Sequence, residues 1–281
     1  MIRLLLFVVL FLVVTGSSVE RKGKLPKKLK EISGWAFAND TTLIAHNDSG
    51  NDPILYVLNL DGSVRHEALI SDVDNIDFED ITTDRKGYIY LGDIGNNTNE
   101  REDLVVYKIK TWNILNQDEV SAQAIHYSYP EQQAFPPADN ERYYDSESLA
   151  YYNDSLYLFT KCRAEPFDGK CLVYQLPTKP GTYKAKRITY LRTGRRSWML
   201  DGITSADIYK EKLYLLTYTR LMIYSFKDHV PEFDTQIGLK PISQKECVAV
   251  HKNGKIYVAD EVQKIIGGGN IFVITNTKKK P

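Results

Sequence analysis

Acidic residues recur in this chain in short, similarly built corners. Glu79-Asp80, Asp145-Ser146-Glu147, Asp201 and Glu246 each stand where a polar stretch gives way to an apolar run. A second set closes the apolar run that follows: His46-Asn47-Asp48, Asp93 with Asn96 and Asn97, Lys161 with Arg163, Thr217 to Arg220, and Asp260-Glu261. Carboxylates gathered at one point repel and desolvate each other unless a cation or basic side chains balance them. A hard ion such as Ca²⁺ accepts several oxygens from Asp, Glu, Asn and backbone carbonyls at forgiving geometry. Ca²⁺ is therefore the cofactor these residue types would suit, with Glu79, Glu147 and Glu246 as the expected metal ligands. The competing reading is that these acids cap backbone N–H groups or pair with Lys161, Arg163 and Arg142. His46 and Asp93 are the candidates for handling a proton, although no Ser or Cys nucleophile is identifiable beside them. Asp48, Asp80, Asn96, Asn97, Asp145, Lys161 and Arg163 complete the expected ligand-binding set. HNDSGNDP and GDIGNN also suit plain turn chemistry, since Asp, Asn and Gly favour Asx-turns and positive φ.

These corners can converge only if repeated elements bring them together. Helical periodicity is nearly absent, whereas short runs rich in Val, Ile, Tyr and Thr recur between turn residues, as in an all-β chain. Five segments align, beginning at residues 32, 77, 145, 203 and 245, each with an apolar strand, a tight turn (NDTT, DRKG, NDS, KEK, KNGK) and a second strand. A third follows in most: ILYVLNL, LVVYKIK, CLVYQLP, LMIYSF and NIFVITN. A repeat near 40–50 residues of this kind predicts a β-propeller. Five blades are expected, and a sixth could draw strands from ERKGKLPKKLK and the stretch around RITYLRTGRRSW. A hairpin reverses the chain, so first-strand starts and second-strand ends share one face of the ring. The position nearest the axis then reads Ser33, Glu79, Glu147, Ala206 and Glu246.

The chain opens with one Arg, an apolar run from Leu4 to Val14 and small residues at Gly16 to Ser18, the layout of a secretory signal peptide. This predicts a leader over 1–18, a single propeller domain over 19–281 and a secreted or periplasmic location. With 36 basic and 36 acidic residues, no overall field steers the chain to nucleic acid or membrane. In an exported protein Cys162 and Cys171, which bound a small loop, are disulfide candidates, and Cys247 reads as a buried apolar residue. N-x-[ST] sequons stand at Asn39, Asn47, Asn96 and Asn153.

The segments NIDFEDITTDRKGYIYLGDIGNN, DSESLAYYNDSLYLFTK, YQLPTKPGTYKA and DGITSADI resemble a family of exported, largely uncharacterised bacterial propeller proteins, over roughly residues 32–262. The resemblance implies the propeller fold, export, and a shared face holding Glu79, Asp80, Asp93, Asn96, Asn97, Asp145 and Glu147. It implies no settled activity. The architecture is more distantly similar to Ca²⁺-dependent lactonase and phytase propellers, whose diagnostic ligand strings this chain lacks. Two functions fit. One is a monomeric binding or interaction propeller with Ca²⁺ near the central tunnel, its partner a small molecule or extracellular macromolecule. The other is a metal-dependent hydrolase acting on a lactone, ester or phosphate. Binding is favoured because no nucleophile or base pair is evident.

Overall fold

Turn chemistry and alternating burial divide the chain into twisted antiparallel sheets. In the computed structural model, which describes residues 16–265 and 267–277, five sheets form a closed ring. Blade I comprises Ile32–Asn39, Thr42–Asn47, Ile54–Asn59 and Val64–Ile70. Blade II comprises Phe78–Thr83, Tyr88–Asp93, Val105–Lys110 and Gln123–Ser128. Blade III comprises Asp145–Tyr152, Ser155–Lys161, Lys170–Pro177 and Lys186–Arg192. Blade IV comprises Ile203–Tyr209, Lys212–Thr217, Arg220–Ser225 and Glu232–Gly238. Blade V comprises Lys245–Val250, Ile256–Asp260, Asn270–Thr277 and, as its outer strand, Gly16–Lys24 from the other end of the chain.

The hairpins between first and second strands lie on the face opposite the acidic corners. Two are two-residue turns with both central residues at positive φ, Asn153-Asp154 and Lys210-Glu211, the geometry that matches strand twist. In blade II the Asp84 Oδ1 accepts the N–H groups of Lys86, Gly87 and Tyr88, which fixes the DRKG turn. Each pair of adjacent blades encloses one apolar cluster, for example Phe159, Cys171, Val173, Leu213 and Tyr224 between blades III and IV. The innermost strands contact one another all the way round.

The segments considered for a sixth blade are instead outer strands: Gly16–Lys24 in blade V and Lys186–Arg192 in blade III. Gly16 to Ser18, expected at the leader's end, are the first residues of that outer strand, while the apolar run Leu4 to Val14 lies outside the described residues. Among the described residues no helix is long and apolar enough to cross a membrane. Blades I and II each gain a short parallel fifth strand from the next blade's outer connection, Glu119–Val120 and Gly181–Lys184.

The disulfide expected between Cys162 and Cys171 is not formed; all three cysteines are buried free thiols. Strand alternation explains this. The ladder Leu158↔Tyr174, Phe159↔Val173 sends Cys171 to the face shared by Phe159 and Val173, into the cluster against blade IV. Cys162 lies past the strand end, with its thiol on Asp168 Oδ1.

Candidate functional site

All five innermost strands carry a register shift at their start, between Ile32 and Gly34, Phe78 and Asp80, Ser146 and Ser148, Ile203 and Ser205, and Lys245 and Cys247. The extra residue of each bulge is Ser33, Glu79, Glu147, Thr204 or Glu246. A β-bulge bends its strand and re-aims one side chain; five in a ring set these side chains around one end of the axis. The ring inferred from sequence is reproduced except in blade IV, where Thr204 takes the place expected of Ala206. The two hydroxyl members stitch blade to blade: Ser33 Oγ donates to Glu79 O (2.9 Å) and Thr204 Oγ1 to Lys245 O (2.6 Å). The three glutamates line a cavity of about 220 Å³ together with Ser33, Asp48, Asn97, Lys161, Arg163, Trp198, Tyr218, Gln244 and Glu261.

Two groups of acids in this region have carboxylate oxygens within 4.8 Å of one another. In Glu79–Asp145–Glu147 the charges are largely answered by the protein. Lys161 Nζ lies 2.8 Å from Glu147 Oε2, Arg163 Nη2 2.8 Å from Glu147 Oε1, and Arg163 Nε 2.5 Å from Asp145 Oδ2. Asp145 Oδ1 also accepts the Asn96 N–H at 2.7 Å, and Arg163 donates to Asn97 Oδ1. Lys161 is 4 % exposed; burial opposes its charge, but Glu147, Glu246 and Asp145 hold its pKa above the ordinary value.

The second group, Asp48–Asp77–Glu79, makes no salt bridge among the described residues; Lys161 and Arg101 act on Asp48 and Asp77 only from farther off. Burial, reinforced by Asp48, Asp145 and Glu147, pushes Asp77 up to about 7. Burial, then Glu147, Asp48 and Asp77, raises Glu79 well above its usual range. Glu79 is 7 % exposed, and its carboxylate accepts no hydrogen bond among the described residues. Gly95, from GDIGNN, makes room for this pair: a Cβ there would stand 2.3 Å from Asp77 Oδ2 and 2.4 Å from Glu79 Oε1. Across the cavity, burial raises Glu246 to about 8 and Glu261 to about 7.

Several expected site residues are elsewhere. His46 is fully buried, edge-on to Phe78, with Nδ1 donating to Asn47 O (3.0 Å) and Nε2 unpartnered against Gly34. Burial pushes it down to about 4, so it is a neutral core residue with no path to the cavity. Asp93 is also fully buried, held by Arg101 (2.9 Å) and the Asp77 N–H (3.0 Å). Asp80 lies beneath the cavity, accepting N–H groups of Ile81 (2.9 Å), Leu149 (3.0 Å) and Ala206 (3.1 Å), with Ser205 Oγ at 3.3 Å. It ties blades II, III and IV across the axis rather than meeting a ligand. Asn96 is buried and spans to Tyr144 O and the Arg101 N–H. Glu147 lines the cavity, but both its oxygens are taken by cations; Glu246 lines it outside either close group. Asp77 was missed, although it opens the second repeat two residues before Glu79, as Asp145 stands two residues before Glu147. That shared Asp-x-Glu spacing was the available signal.

Seven large apolar side chains are exposed on the loops at this end of the ring: Ile76, Phe135, Trp198, Met199, Ile242, Val262 and Ile265. They come from the connections entering blades II to V and the loop after Asp260. Trp198 stands at the cavity itself, with the Arg163 guanidinium 5.6 Å from its ring centre.

Among solved structures the chain aligns with glutaminyl cyclase of Myxococcus xanthus at 11% identity and a TM-score of 0.59, covering 92% of this chain and 95% of that one. It also aligns with the PQQ-bound aldose sugar dehydrogenase of Streptomyces coelicolor, at 10% identity and 0.53, covering 92% and 98%. A luciferin-regenerating enzyme matches at 14% and 0.52, covering 94% and 96%. What they share is the propeller fold. At such identities the likeness carries no activity. No protein-family model matches the chain, and no curated protein does.

Proposed function

We propose that this chain is a binding propeller that takes up a divalent cation, Ca²⁺, at Asp48, Asp77 and Glu79. The observation that carries this is the buried, unpartnered Glu79 carboxylate within 4.8 Å of two further carboxylates that make no salt bridge among the described residues. Oxygens on opposite sides of a Ca²⁺ ion lie about 4.6–5.2 Å apart, twice the usual 2.3–2.6 Å bond length, so the group has the right span. An ion there would supply the positive charge that the local residues lack. This moves the expected metal position from Glu79, Glu147 and Glu246 towards the Asp48 side, leaving Glu147 to Lys161 and Arg163.

The hydrolytic alternative has less support, because His46 and Asp93 are closed off from the cavity. Lys161 and Arg163, engaged with Glu147 and Asp145, offer little to an anionic substrate. The leader-like first residues and the likeness of the NIDFED and GDIGNN blocks to exported bacterial propellers support a place outside the cytoplasm.

The test is calorimetric unfolding with CaCl₂ and with chelator. An ion present at 100 times its Kd stabilises by about 2.7 kcal/mol, or about 5–10 °C in Tm for a domain of this size. Absence of any shift at 5 mM CaCl₂ would refute the assignment.

A further inference from the structure

The cavity and its surroundings hold more carboxyl groups than one ion can bind. Asp48, Asp77, Glu79, Asp145, Glu147, Glu246 and Glu261 face two cations, Lys161 and Arg163. Five of these carboxyl groups therefore have no salt-bridge partner, and an ion at Asp48, Asp77 and Glu79 leaves Glu246 and Glu261 without a cation. The apolar rim extends beyond this charge over the connections entering four blades. Apolar side chains exposed on the loops of one face, with Trp198 at the edge of a polar depression, suit an interaction surface. A small ligand confined to about 220 Å³ would leave Phe135 and Ile242 uncovered.

We propose that this face docks an extended polypeptide segment in which a lysine or arginine side chain, entering the cavity towards Glu246 and Glu261, is flanked by apolar residues that cover the rim. Charge complementarity selects the cationic side chain. The apolar rim selects a chain rather than a free amine, and Trp198, an exposed aromatic at the edge of the cavity, is the natural anchor. The proposal rests on the reading of the cavity as a cation site but not on which cation fills the Asp77 side.

The experiment is titration calorimetry on the full chain in 150 mM NaCl, with CaCl₂ and again with chelator. The probe is an acetylated, amidated six-residue peptide alternating leucine and lysine. Comparison probes replace lysine by glutamate, replace leucine by serine, or reduce the peptide to lysine amide. The leucine–lysine peptide is expected to bind at least tenfold more tightly than each comparison probe. It is expected to lose at least fivefold on the Glu246→Gln/Glu261→Gln double variant and on Trp198→Ala, while Asp154→Asn on the opposite face changes nothing. Melting curves establish that the variants are folded, and a variant that is not folded is replaced by Ile242→Ser. Equal binding of the serine–lysine peptide would reduce the effect to simple charge attraction and overturn the proposal. Binding of lysine amide as tight as that of the peptide would overturn it in favour of a small amine pocket. Peptide binding without any calcium shift would sink the calcium assignment alone; a calcium shift without peptide binding would sink this proposal alone.

Discussion

Asp77 and Glu79 illustrate how much a single carboxylate can cost when its neighbours are also acids. Asp77 moves from an ordinary 3.8 to about 7, and Glu246 from 4.5 to about 8, both chiefly through burial. A group whose pKa rises on folding binds protons more tightly in the folded state, so its stabilising contribution is full below the unfolded value, about 4, and is lost as pH rises through the folded one. The metal-free protein is therefore expected to melt at a lower temperature at pH 8.5 than at pH 5, and CaCl₂ to narrow the gap; calorimetry at the two pH values checks both. Asp77→Asn is expected to abolish the calcium response and stabilise the metal-free protein at pH 8.5 by roughly 1–2 kcal/mol. Burial raises the pKa of Asp80 as well, but this side chain has a structural role. Its carboxylate accepts three backbone N–H groups at the axis, so Asp80→Ala should cost about 3–5 kcal/mol by leaving those donors unpaired, measured by denaturant unfolding. Sequence placed both acids in one corner; only the bulge at Glu79 separates one that faces the cavity from one that holds the ring.

Bulges and outer strands mark where reading by pattern succeeds and where it stops. The inner and second strands are buried on both faces and end in strong turn signals, which is why five repeats were legible. The outer strands are different: Glu232–Gly238 is exposed at nearly every position, leaving no apolar alternation to find, so three strands per blade were visible where there are four. Bulges have no composition of their own. Alignment by repeat therefore set Ala206 where Thr204 belongs, while Glu79, Glu147 and Glu246, which share their position in the repeat, were found. The bulged hydroxyls join blades rather than bind ligands. Thr204→Val, which removes the bond to Lys245 O, is accordingly expected to lower stability by about 1–2 kcal/mol with the calcium-induced shift unchanged, as differential scanning calorimetry would report.

At the scale of the whole molecule the ring is closed by the pairing of Gly16–Lys24 with Asn270–Thr277. A chain starting at Val19 retains the pairs from Val19↔Ile274 to Lys24↔Asn270 and is expected to melt close to one starting at Gly16. A chain starting at Pro26 uncovers the edge of blade V and should melt well below both, a comparison that thermal unfolding of the three lengths would decide.

That closure also sets an order of events. Gly16–Lys24 is made well before its partner Asn270–Thr277. Until Asn270–Thr277 is made the early strand lacks its partner, and blades I to IV can form before the circle does. Completion of the ring thus depends on a contact between segments far apart along the chain, the kind that folds slowly, and the cavity, lined in part by Glu246 of blade V, takes its final shape only once that blade is assembled.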